Sequence, residues 1–260
     1  MRKIEGAERD ALVLHILKRL DGSLPHATAY QWEANWESAL AQFRANPVEE
    51  SLVPGFIPQE QPLRKNGAFW DGVSELEYVR GLQAWVAWQL ADCDYIYEFG
   101  CGTGFNLVAL AQLMPGRAFV GMDRSSAAVQ LVAEAAEALC LPIMSGRFDM
   151  LEPRPAKMPE GAGVFTLGAM EQLGRFQPFI EWLIEQRPAK VVHMEPIPEL
   201  LDENVLIDWL SLEFHRKRGY TVDLLPYLQA HPGIEVLEVE RSYFGSLMLE
   251  SYAKVVWKPR

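Results

Sequence analysis

Three glycines at alternate positions constrain this chain most. They lie in YIYEFGCGTGFNLVAL, from Tyr95 to Leu110, as Gly100, Gly102 and Gly104. An apolar run precedes them and a run at helical spacing follows. Glycine inside a regular element costs roughly 0.5–1 kcal/mol against alanine, because the free chain loses more conformational freedom. So many glycines in so few residues mark a tight strand-to-helix turn where something approaches bare main chain. Such a turn sets backbone N–H groups and a positive helix end beside a crevice at the carboxyl end of a sheet, where nucleotide-like ligands sit. Two acids accompany it. Glu98 lies inside the motif, and Asp123 ends the next strand-like run, where a carboxylate can hold both ribose hydroxyls. A dinucleotide motif is spaced G-x-G-x-x-G. Here Phe105 stands where its last glycine would be, which counts against a nicotinamide cofactor.

The surrounding texture agrees with a parallel sheet. Strand-like runs are Tyr95–Phe99, Ala118–Met122, Ile143–Phe148, Val164–Leu167, Lys190–Met194, Ile234–Val239 and Tyr252–Trp257. Helical patterns separate the early ones: Asn106–Met114, Ser126–Leu139, and the stripe Phe176, Phe179, Ile180, Leu183, Ile184. Alternation of this kind predicts a parallel sheet covered on both faces. The loop before the last strand has no room for a crossover helix, so that final pair should be antiparallel. Before Tyr95 the chain reads as helices with an irregular middle. One stripe is Leu12, Val13, Ile16, Leu17, Leu20; another is Trp32, Trp36, Leu40, Phe43, its tryptophans read as packing residues. Pro47, Pro54, Pro58 and Pro62 interrupt, and Ser74 with Glu77 opens a further helix to about Asp92.

Composition narrows the function classes. At 260 residues and 49% hydrophobic, the chain suits one substantial α/β domain with a small extra lobe. A net charge of −11 argues against nucleic acid, because such a surface repels phosphates. The basic run His215-Arg216-Lys217-Arg218 reads as a helix end facing water. Cys93, Cys101 and Cys140 have no metal or disulfide spacing; no metal site is expected, and Cys101 is a small residue between glycines rather than a nucleophile. No apolar stretch is long enough for a membrane span, so the expectation is a soluble, cytoplasmic protein without membrane partners.

The run EFGCGTG followed by VGMDRS resembles the class I S-adenosylmethionine-dependent methyltransferases from about Tyr95 onward. The resemblance implies a Rossmann-like, mostly parallel seven-stranded sheet whose last strand inserts antiparallel. It implies S-adenosylmethionine as cofactor, with Gly100, Gly102 and Gly104 along its methionine and ribose parts. Glu98 would order the loop or meet the cofactor's amino group, and Asp123 would accept from the ribose hydroxyls. Arg124 would flank the adenine, Asp149 would accept from its amino group, and Phe148 or Met150 would lie on the ring. Read in order, RKNG, EFGCGTGFNL, DRSSA, RFDML, MEQLG and HMEPIPELLD are similar to bacterial methyltransferases of polysaccharide and modified-peptide pathways. The first 92 residues are expected as a helical extension, 93–260 as the cofactor-binding domain, and 196–232 as a helical lid insertion after the fifth strand.

Methyl transfer from a sulfonium is an in-line displacement, carried largely by positioning, and a base is needed only where the acceptor must lose a proton. The informative residues are therefore acids at the ends of the fourth and fifth strands. Glu171 in GAMEQLG and Glu195 in HMEPIPEL are the candidates, to bind a polar or cationic acceptor or to take its proton; the alternative is a pair of helix-start acids. Gln172, Tyr243 and Arg64 are candidate substrate contacts, with Arg64 alternatively reaching the cofactor carboxylate, and His193 reads as a packed histidine. The expected reaction is methylation of an O or N atom of a specialised metabolite, sugar or peptide. A non-catalytic partner subunit that binds the same cofactor, or an aminopropyl transferase acting on a cationic amine, would look alike in sequence.

Overall fold

The computed structural model describes residues 1–25, 28–57, 62–154 and 157–260; Pro58 lies outside them. The chain opens with β1 (Arg2–Lys3), α1 (Gly6–Asp21) and α2 (Ala29–Ala45), and a hairpin of β2 (Leu63–Lys65) and β3 (Ala68–Asp71) leads to α3 (Glu75–Gln89). Then come β4 (Tyr95–Phe99), α4 (Phe105–Leu113), β5 (Ala118–Asp123), α5 (Ser126–Ala138), β6 (Ile143–Arg147) and β7 (Gly163–Leu167). The rest is α6 (Gln177–Gln186), β8 (Lys190–Glu195), α7 (Leu206–Arg218), α8 (Leu224–Ala230), β9 (Ile234–Glu240), β10 (Phe244–Gly245) and β11 (Ala253–Pro259).

Seven strands form one sheet in the order β6-β5-β4-β7-β8-β11-β9. The pairs from β6 through β8 are parallel, and β11 runs antiparallel between β8 and β9. Helices cover both faces, so the central strands are apolar on both sides: Val164, Phe165, Val191 and Val192 are all buried. The expected strands and the antiparallel insertion are present, with ends shifted by a residue or two.

The N-terminal part holds the expected helices and adds short strands, at its start and where an irregular middle was expected. β1, β3, β2 and β10 make a second, four-stranded sheet in that order, so the beginning of the chain and residues 244–245 form its two edges. Strands of two to four residues leave no period to read. The one local signal was Asn66-Gly67, whose positive φ values of 51° and 69° make the tight hairpin turn. Ile16, Leu20, Phe69, Ile207 and Leu210 fill a separate core that packs α1 and α7 on this sheet.

That core also corrects the reading of His215. It is 2% exposed, its ring is set edge-on to Tyr220, and burial pushes its pKa down to about 4. The neighbouring Arg216 and Lys217 do face water. Among the described residues no helix is long and apolar enough to cross a membrane.

Candidate active site

The exit of β4 forms the floor of a cavity of about 400 Å³. Gly100 and Cys101 donate to the carbonyl of Met122 at 2.7 and 3.2 Å, which pins the loop to β5. Gly100 has φ +75°, and a methyl there would lie 2.4 Å from the Cβ of Ala169. Gly102 has φ +51°, and a methyl there would meet Trp36 Cη2 at 2.9 Å. Side chains are absent at both because the backbone is left-handed and the space is already taken. Asp123 organises this turn: Oδ2 accepts from the Gly102 amide at 3.0 Å and Oδ1 from Ser125 at 2.9 Å. Both oxygens keep a second lone pair, and the residue lines the cavity.

Behind the glycines runs a polar chain that the sequence reading did not assemble. Gln83 of α3 donates to Asn106 Oδ1 at 3.0 Å, and Asn106 Nδ2 donates to Glu98 Oε1 at 2.7 Å. Glu98 is 1% exposed and lines the cavity, and its Oε2 has no partner among the described residues. Burial pushes the Glu98 pKa up to about 8; the Asn106 bond opposes that and the nearby Asp123 adds to it.

Arg124, Phe148, Asp149 and Met150 gather at the other end. Asp149 Oδ1 accepts from the Leu151 amide at 2.9 Å, an Asx turn that aims the carboxylate. Phe148 is wedged edge-on against Phe99 and close to Trp182, with ring centroids 4.9 and 4.7 Å apart.

The outer wall comes from the N-terminal segment. Trp32, Trp36, Pro54, Phe56 and Ile57 line the cavity, and none of its lining residues falls within 196–232. Trp32 and Trp36 are stacked with centroids 5.6 Å apart on the face of α2 that overhangs the glycine turn. Glu33 holds α2 in place by accepting from the Ser126 and Ala127 amides, at the positive end of α5. Arg44 pairs with Glu134 further along, and Thr103 Oγ1 donates to the Leu52 carbonyl at 2.6 Å.

The loop after β7 supplies the remaining wall through Leu167, Gly168, Ala169, Gln172 and Leu173. Glu195, at the end of β8, accepts from the Ala169 and Glu171 amides at 3.1 and 3.3 Å, so it fixes this loop. Burial pushes its pKa up to about 7. Glu171 is half-buried and accepts from Gln172 Nε2 at 2.6 Å; burial, then the proximity of Glu195, pushes its pKa up to about 8. Tyr252 closes the same end, its hydroxyl donating to Glu75 Oε1 at 2.7 Å.

Two expected substrate contacts lie elsewhere. Arg64 is 3% exposed, and its guanidinium donates to the carbonyls of Leu247, Ile207 and Met248 and to Ser211 Oγ. It ties the small sheet to α7, because a buried cation must replace every water it gives up. Tyr243 is 48% exposed, with Arg241 stacked over its ring, and is not among the lining residues. His193 is buried in the sheet, its Nδ1 paired with Thr166 Oγ1 at 2.9 Å while Nε2 has no partner among the described residues, so it is packed but only half satisfied.

Among the solved structures that resemble the chain are three that cover most of its length with TM-scores above 0.5. The [4+2]-cyclase SpnF gives a TM-score of 0.60 at 14% identity, over 92% of this chain and 98% of its own. The 16S rRNA methyltransferase RmtF, solved with S-adenosyl-L-homocysteine, gives 0.52 at 15% over 95% and 82%. The plantazolicin methyltransferase BpumL, solved with a monoazolic desmethylPZN analog and SAH, gives 0.52 at 12% over 95% and 99%. No protein family and no curated protein matches the sequence. At these identities the likeness is one of fold: the chain has the Rossmann-like fold of the class I S-adenosylmethionine-dependent methyltransferases.

Proposed function

We propose that this protein binds S-adenosylmethionine and transfers its methyl group to an oxygen or nitrogen of a small polar acceptor, a metabolite, sugar or peptide side chain. The observation that carries the reading is Glu98, a cavity-lining residue whose buried Oε2 has no partner among the described residues. Such an oxygen is costly unless a ligand cation completes it, and the cofactor's ammonium is one.

The other residues fit the same molecule. Asp123 has lone pairs free for ribose hydroxyls, and the left-handed turn through Gly100 and Gly102 puts main chain rather than side chains on the cavity floor. Asp149, Phe148, Met150 and Arg124 surround the place for an adenine. When bound, the cofactor supplies an electrophilic methyl on a sulfonium. The chain then has to hold the acceptor in line, keep water out and take one proton. Trp32, Trp36 and Phe56 exclude water, Gln172 orients the acceptor, and Glu171 binds it or accepts its proton. Glu195 acts through the loop it anchors. In this reading residues 1–92 are the cover, 93–260 the donor-binding unit and 196–232 an insertion beside it.

The net charge of −11 favours a small or peptide acceptor over nucleic acid, although RmtF is an rRNA methyltransferase with this fold. Free thiols at Cys93, Cys101 and Cys140 fit a reducing, cytoplasmic setting.

Calorimetric titration tests the reading. Saturable binding of S-adenosylmethionine and S-adenosylhomocysteine is expected, and no binding of either overturns it. The likeness to the [4+2]-cyclase SpnF favours a second use of the same cavity in which no methyl moves. Product mass separates the cases. S-adenosylhomocysteine marks methyl transfer, 5′-methylthioadenosine marks aminopropyl transfer, and an unconsumed cofactor marks a binding-only role.

A further inference from the structure

We infer that a second cavity, bordering the first, binds an organic phosphate: a phosphate ester carried on a flat or aromatic body. The inference goes beyond the methyl-donor reading and does not require it.

This cavity, of about 560 Å³, opens beyond Trp32, Arg124, Phe148 and Asp149, which line both. Three arginines that are scattered in sequence meet in its wall. Arg124 follows the end of β5, Arg147 ends β6, and Arg154 lies in the loop between β6 and β7. The register of β5 on β6 sets Asp123 opposite Arg147, so the first two arginines leave neighbouring strand ends. None of the three guanidiniums has a hydrogen bond or an ion pair among the described residues. Elsewhere in this acidic chain that is not the rule: Arg2, Arg44, Arg80, Arg117, Arg216 and Arg241 each hold a carboxylate.

Three acids share the wall, and they do not cancel the arginines. Glu33 accepts from the Ser126 and Ala127 amides with its two oxygens, so the positive end of α5 balances it. Arg147 attracts Glu33 but forms no ion pair with it. Asp149 Oδ1 accepts from the Leu151 amide. That leaves the exposed Glu152 and one oxygen of Asp149 against three guanidiniums with open donors. A guanidinium offers paired N–H groups that match phosphate oxygens, and a doubly charged phosphate can engage more than one of them. A single inorganic anion would leave most of the space empty, since pockets for whole small molecules run about 300–1,000 Å³. The remaining wall supplies a place for a ring. Tyr30, 82% exposed, and Trp32 line the cavity, and such side chains offer an apolar face with a polar tip.

The test titrates the full chain by calorimetry, with and without saturating S-adenosylhomocysteine, against phenyl phosphate, inorganic phosphate and phenol at fixed ionic strength. Phenyl phosphate is expected to bind at least about tenfold tighter than either of the others, in both conditions. Arg147→Gln and Arg154→Gln should each weaken it about fivefold or more and leave S-adenosylhomocysteine affinity within about twofold. Both arginines are exposed, so neither change threatens the fold. Lys258→Gln removes the same charge from an exposed pair with Glu235, at the end of the sheet where β8 begins, and should leave phenyl phosphate affinity unchanged. Inorganic phosphate binding as tightly as phenyl phosphate would mean a free anion and overturns the ester. Phenol binding as tightly, no saturable binding of phenyl phosphate, or affinities untouched by both arginine variants overturns the site. So does an equal loss in Lys258→Gln, or phenyl phosphate binding that S-adenosylhomocysteine abolishes. Failure of S-adenosylhomocysteine itself to bind overturns the donor reading alone, and the ligand-free titration still decides this one.

Discussion

Glu98→Gln should make the empty protein more tolerant of high pH and worse at holding its ligand. The buried Glu98 carboxyl has its pKa raised from 4.5 to about 8, chiefly by burial. Between those values the folded protein keeps a proton that the unfolded chain has released. Stability from this group is therefore fully present below pH 4.5 and is lost as pH rises toward 8. The slope is about 1.4 kcal/mol per pH unit, so the loss from pH 5 to pH 8 reaches about 4 kcal/mol at most. Glutamine removes that slope but buries an amide N–H without a partner, at about 1–3 kcal/mol. The variant should melt below the parent at pH 5 and at or above it at pH 8. For a chain of this size the swing is up to roughly 10 °C. Differential scanning calorimetry without ligand measures it. In the same variant, S-adenosylhomocysteine affinity at pH 8 should fall tenfold or more, because the ligand ammonium loses its counter-charge. Affinity for 5′-methylthioadenosine, which has no amino-acid half, should hold. A melting difference that does not move with pH, or equal losses for the two ligands, would refute the role given to Glu98.

Arg64→Met should cost about 3–5 kcal/mol in denaturant unfolding, since it strips donors from three buried carbonyls and Ser211 while S-adenosylhomocysteine affinity stays within twofold. An affinity loss without a stability loss would restore the substrate role. His215→Leu should flatten stability on the acid side. The pKa of His215 is depressed from 6.5 to about 4, so the unfolded chain binds the extra proton in that window. The parent therefore loses up to about 3 kcal/mol from this group as pH falls through it, visible in acid titrations followed by circular dichroism. Trp36→Leu should lose most of the fluorescence change on ligand binding and weaken S-adenosylhomocysteine and 5′-methylthioadenosine by similar factors, because Trp36 sits over Gly102 at the nucleoside end. An unchanged fluorescence response would remove Trp36 from the cover.

What the sequence made legible follows from how local each cause is. The seven strands were readable because strands buried on both faces leave short continuous apolar runs between helical stripes. The turn that floors the cavity was readable for the same reason: Gly100, Gly102, Asp123 and Asp149 each follow or end a strand, and a strand exit can be counted along the chain. The end of the cavity at Tyr252 obeys no such rule. Tyr252 and Glu75 meet across 177 residues, and nothing near either announces the other. Trp32 and Trp36 continue the stripe of Leu40 and Phe43, so spacing alone makes all four look like core. Only the placement of α2 along α5 shows that Leu40 and Phe43 are buried while the two indoles overhang the cavity. Arg64 and His215 fail in a related way. Arg64 was expected at a ligand and His215 in water; instead backbone from distant segments accepts from the Arg64 guanidinium, and packing buries His215 with neither ring nitrogen partnered among the described residues. Both errors fall where the small sheet joins the two ends of the chain. Contacts of that kind are closed by tertiary packing alone, so any residue whose role depends on them lies beyond what periodicity and spacing can reach.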